Sequence, residues 1–251
     1  MLEAFVHGKL SSRQANMEDM LTSAVFGALR LLPPERGILP FLSFAKPWSD
    51  AQNQLEQLKD LTDLAPSEVE YTFWPRFDVK LCHSCEPDLL IKIKPANLLI
   101  LVEAKLRSPK SSEANDGPWP YDQLAREWDN LLEKTGSCQP ILIYLTADLK
   151  LPKQSIKDSI VEFQRKRPSK PVPDIYWLSW QQLNRLENDE HELLQMLKNI
   201  LQRLDLNPFT GFEHIQFQTD YKFSKTNTSY SWLTTEFYFG RVWDFSMKDS
   251  K

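Results

Sequence analysis

Apolar residues recur at intervals of three and four along residues 16–32, through Met17, Met20, Leu21, Ala24, Ala28 and Leu32, and Pro33-Pro34 closes the run. That spacing predicts an amphipathic helix, with Asn16 as its N-cap. A second helix is predicted over 50–61. The pattern then shortens into strand-like runs at 70–77, 87–93 and 97–105. Lys94-Pro95-Ala96-Asn97 leaves little room between the last two, so they pair as an antiparallel hairpin. A polar, proline-containing loop over 108–120 leads to a helix at 121–134. Its buried stripe is Tyr121, Leu124, Trp128, Leu131 and Leu132, and Gly136 is its stop. PILIYLT, residues 140–146, is apolar on both faces, as a buried parallel strand requires. A helix at 154–165, a strand at 175–178 and a long helix at 181–204 complete the reading. This order predicts an α/β fold, a mixed β-sheet flanked by helices, over residues 1–205. From Phe212 onward aromatic and polar residues alternate, so 206–251 is expected to be a β-rich C-terminal extension packed on the core.

Composition narrows the classes. The 251 residues are 41% hydrophobic and 12% aromatic, with 8 Trp, which is a globular rather than a disordered profile. No apolar run approaches the ~20 residues that span a bilayer, and MLEAFVHGKL lacks a basic segment followed by an apolar core. Three cysteines cannot all pair within one chain. The expectation is a cytoplasmic protein that does not enter the membrane. A net charge of −4 argues against an indiscriminate nucleic-acid coat. Two local basic clusters remain: Lys92, Lys94, Lys105, Arg107 and Lys110, and a second from Lys150 to Lys170. A solvated face explains the second as readily as a binding surface does.

The chemistry concentrates in EPDLLIKIKPANLLILVEAKLRSPK, where fourteen residues separate Asp88 from Glu103. Residues two apart in a strand share a face, so Glu103 and Lys105 point the same way, and Asp88 reaches that face if its strand lies alongside. Two carboxylates and an ammonium at a sheet end can hold a hard divalent cation, Mg2+ or Mn2+, against a phosphodiester. Asp88 and Glu103 are the ligands in this reading, with the carbonyl of residue 104 as a third. The neighbouring carboxylates raise the pKa of Lys105, which suits it to orienting water or stabilising phosphate charge rather than to acting as a base.

These residues resemble the motif of the PD-(D/E)XK nuclease superfamily. The resemblance implies a restriction endonuclease-like core and Mg2+- or Mn2+-dependent cleavage of DNA, and it extends as an architectural match over roughly 16–178. It also implies an acidic ligand on the first helix: Glu18, which shares a face with Leu21 and Val25, with Asp19 as the alternative. An acid in a first helical turn also serves simply as a dipole partner. Some members carry a Gln on the helix after the lysine strand, which points to Gln123 in DQLAREW as a substrate contact, with Arg126 beside it. Their fuller pattern has Tyr four residues on, where this chain has Glu127. The implied setting is a prokaryotic restriction or antiviral defence system. A homodimer would supply two centres for double-strand cleavage. Any ATP-driven step would need a partner ATPase, helicase or defence subunit, since no P-loop is present. The alternative is a nuclease-fold scaffold or binding subunit in which the carboxylates serve structure.

Other features have plainer readings. Cys82 and Cys85 form half of a zinc motif without a second pair, and Glu86 reads as a strand-edge charge. Asp148 reads as a turn cap. The aromatic tail could stack on bases, but sheet packing is the commoner use.

Overall fold

The computed structural model describes residues 13–49, 55–78, 82–186 and 191–207. Alternation along the strands explains its layering. In β4 (Leu98–Ala104) every residue is buried, because helices cover both sides of the sheet. Leu98, Ile100, Val102 and Ala104 face one hydrophobic cluster, and Leu99 and Leu101 face the other. The first cluster contains α1 (Arg13–Leu29), α2 (Ile38–Ser43) and α5 (Glu192–Arg203). The second contains α3 (Gln123–Lys134) and α4 (Lys153–Lys166).

The remaining strands are β1 (Lys46–Pro47), β2 (Val69–Phe73), β3 (Leu89–Ile93), β5 (Gln139–Thr146) and β6 (Ile175–Ser179), in the sheet order β1-β6-β5-β4-β3-β2. β4, β5 and β6 run parallel, and β2, β3 and β1 pair antiparallel to their neighbours. The expected mixed sheet flanked by helices is therefore present. The β3–β4 hairpin also forms, and Asn97 takes a left-handed conformation (φ 51°) in its turn. Gly136 (φ 56°) follows the C-terminus of α3, where a side chain would be strained.

Several boundaries differ from expectation. α1 begins at Arg13, so Asn16 lies inside it rather than capping it. The segment expected as a helix over 50–61 is a 3-10 turn at Leu55–Asp60 where it is described. α3 begins two residues later than expected because Asp122 caps it, accepting from the amides of Leu124 and Ala125. Tyr121 is accordingly exposed, outside the buried stripe. The long helix expected at 181–204 divides into a 3-10 turn, Trp180–Arg185, and α5. The two-residue β1 and the single-and-a-half-turn α2 carried too little periodicity to be read. The β-rich extension falls almost entirely beyond the described residues. Among those described, no helix is long and apolar enough to cross a membrane.

Candidate active site

Parity delivers the carboxylates. Leu89 pairs with Val102, so Asp88 and Glu103 extend the same ladder by one step. Both have the parity of Leu101, which faces the α3 side of the sheet. Asp88 is held there because its Oδ2 accepts the Ala104 amide at 2.8 Å. Lys105 follows the end of β4, its amide bonded to Leu145 (2.7 Å) and its carbonyl to the indole of Trp180 (3.1 Å). Its ammonium lies 2.6 Å from Glu103 and 3.3 Å from Glu18. Asp88, Glu103 and Lys105 are thus brought together, and each is buried.

Glu18 joins them from α1. Its carboxylate also accepts the Leu106 amide and the Ser108 hydroxyl, each at 2.7 Å. It therefore fastens the chain leaving β4 while facing Lys105. Gln123 is buried on α3 and donates its amide to Glu103, while its side-chain oxygen accepts the Ser111 amide at 2.7 Å. Arg126 is half-buried, and its Nε has no hydrogen-bond partner.

One member of the group was not legible as such. Glu127, 1% exposed, interacts electrostatically with Glu103 and Gln123, and its Oε2 is buried without a partner. The spacing of four from Gln123 was the available signal, since it places both on one helix face. In the sequence Glu127 marks only the absence of a tyrosine.

The electrostatics are those of crowded acids. Burial first, and then the charge of Glu103, pushes the Asp88 carboxyl well above its ordinary value. Burial and the neighbouring Glu127 do the same to Glu103. Glu127 is pushed up to about 7, chiefly by burial. Burial pulls Lys105 down, but Glu103, Glu18 and Asp88 outweigh it and raise its pKa, so it stays an ammonium.

The chain matches no protein-family model, no curated protein and no solved structure.

Among the described residues, no three His, Cys, Asp or Glu side chains stand in a metal-holding arrangement. The ammonium of Lys105 lies between Glu103 and Glu18, where a cation would be sought. The donor chemistry nevertheless fits a hard divalent cation: Glu103 and Glu18 face one ammonium as oxygen donors, Asp88 stands opposite Glu103 on the hairpin, and one buried carboxylate oxygen of Glu127 is unsatisfied.

The other candidates have local roles. Glu86 pairs with Arg76 (3.1 Å), and Asp148 accepts the Thr146 hydroxyl (2.9 Å) in the turn after β5. Burial pushes the Cys82 thiol up to about 11 and raises Cys85 further, so both remain protonated thiols.

Proposed function

We propose that this protein is a metal-dependent nuclease that hydrolyses phosphodiester bonds in DNA. The observation that carries the reading is the meeting of Asp88 and Glu103 on one face of a hairpin, with Lys105 bonded to Glu103. Asp88, Glu103 and Glu18 would hold Mg2+ or Mn2+, and Glu127 adds a fourth carboxylate. Bound there, the cation would supply Lewis-acid polarisation of the phosphoryl oxygens and an activated water. The chain's own residues do the rest. Lys105, held as an ammonium by its carboxylates, turns toward phosphate charge or the attacking water. Gln123 fixes the orientation of Glu103, and the half-buried guanidinium of Arg126, one turn along α3, is the phosphate contact. A restriction or antiviral defence setting, a homodimer and a partner ATPase, helicase or defence subunit are parts of the same proposal.

A second reading has its own support. The ion pairs of Lys105 with Glu103 and Glu18 close the group on itself, as in a nuclease-fold scaffold subunit without the reaction. Incubating purified protein with plasmid and Mg2+ or Mn2+, beside Asp88→Ala and Lys105→Ala, decides between them. The expected result is nicking by wild type and at least a hundredfold loss in both variants. Equal nicking by all three defeats the nuclease reading, and so does a wild type that neither cleaves nor binds Mn2+ through Glu103.

A further inference from the structure

A second site lies beyond the acids at the same end of the parallel strands. Four cationic side chains line a cavity of about 380 Å³: Lys46 on β1, Lys59 at the 3-10 turn before β2, Lys153 opening α4, and Arg185 closing the 3-10 turn after β6. Phe44 and Trp48 line it with them. Two of the cations share one ring, with Lys59 at 5.2 Å and Arg185 at 4.7 Å from the centre of Phe44. An adjoining cavity of about 520 Å³ shares Phe44, Lys59 and Arg185, and its Glu35 is the one carboxylate lining either space among the described residues. Like charges gathered without acids repel one another, and a ring face compensates only part of that repulsion.

The backbone points the same way. α4 begins beside the cavity with Pro152 as N-cap, no side-chain cap bond and no acidic residue in its first turn. Its amide dipoles therefore add positive potential near Lys153, with no side chain of its own to answer it. Concavity, cations that face no carboxylate in the smaller cavity among the described residues, aromatic faces and an uncapped helix start, contributed by four separate segments, match an anion that carries a planar ring.

We infer that this cavity binds the phosphate of a nucleotide, with its base against Phe44 or Trp48. The nucleotide is either a unit of a nucleic-acid strand or a free mononucleotide. The strand is the favoured source, because β6 lies two strands from β4 in the sheet, roughly 10 Å. That distance corresponds to about three nucleotides along one strand of a duplex. The inference does not depend on cleavage at the acidic group.

The test uses the full chain in EDTA, so that hydrolysis plays no part. Binding of a fluorescein-labelled twelve-nucleotide single strand is followed by anisotropy, and AMP and inorganic phosphate are then tried as competitors. The pocket variants are Lys153→Ala/Arg185→Ala and Lys46→Ala/Lys59→Ala. A control, Lys134→Ala/Arg203→Ala, removes the same charge from exposed positions outside the cavity. All the substituted side chains are exposed, so circular dichroism and melting should be unchanged. The expected result is at least a tenfold loss of strand affinity in both pocket variants and less than twofold in the control. Displacement by AMP, with AMP binding lost in the same variants, identifies the free nucleotide as a ligand. Strand binding that AMP and phosphate leave untouched identifies the strand. Equal weakening in pocket and control variants overturns the site, as does a wild type that binds neither strand, AMP nor phosphate.

Discussion

Helix α3 carries two buried carboxylates two residues apart, Glu127 and Asp129, each 1% exposed, and their charge is settled in opposite ways. Asp129 accepts from Arg167 at 3.0 and 2.6 Å and from Lys170 at 2.9 Å. Burial works against its ionisation, but these bonds outweigh it and hold its pKa below the ordinary value. The Arg167 guanidinium also stacks on Trp119 at 4.4 Å, which fixes its position. Glu162 of α4 is settled similarly. It accepts the Asp122 and Tyr121 amides at 2.8 and 3.2 Å and Lys166 at 2.8 Å, and its pKa is lowered despite burial. Among the described residues Glu127 has no cation paired with it, and it shares its surroundings with Glu103 and Asp88. Where a buried acid serves only structure, this fold supplies partners in excess. At the end of β4 it leaves acids crowded, which costs stability unless another positive charge arrives.

Neutralising each acid without changing its shape breaks or confirms that contrast. Asp129→Asn leaves Arg167 and Lys170 facing an amide, and is expected to lower the unfolding free energy by about 3 kcal/mol in urea titrations at pH 7.5. Glu127→Gln should act in the other direction. Its amide can donate to Glu103 while removing a like charge, so the metal-free protein should gain about 1–2 kcal/mol under the same conditions. If both variants destabilise, Glu127 is an ordinary packed side chain and the contrast fails.

The same difference governs what could be read from the chain. Asp88, Glu103 and Lys105 were legible because a strand's two-residue period turns spacing directly into a shared face, and the turn at 94–97 forces the two strands together. Gln123 was reached through the resemblance to nucleases rather than through a spacing of its own. Glu127 was not, because a helix position announces its direction only once the helix is docked, and a carboxylate among Arg126, Asp129 and Glu133 looks like an exposed polar face. Asp129 is illegible for the same reason, since its cations lie 38 and 41 residues away, and Glu162, although Lys166 is four residues on, takes its backbone amides from 40 and 41 residues away. The basic cavity draws on four segments that only the sheet order assembles, so no local pattern marks it.

Acidity gives the finest test of the contrast. An unfolded glutamate has a pKa near 4.5, whereas burial pushes Glu127 in the fold up to about 7. Between those values the folded state holds a proton that the unfolded state has lost, so stability falls as pH rises through the interval. Asp88 and Glu103, also raised, add to the fall. Asp129 and Glu162 have lowered values, so their contribution is present above the ordinary carboxylate range and is lost as pH drops through their folded values. The metal-free protein should therefore lose stability on both sides of a mildly acidic optimum. Urea titrations in EDTA at pH 6 and pH 7 should show Glu127→Gln removing about 1 kcal/mol of the alkaline-side decline, and Asp129→Asn leaving that decline intact. A Glu127→Gln profile parallel to wild type over this interval would mean that the carboxyl is already ionised and matched by a cation, which is the condition of Asp129.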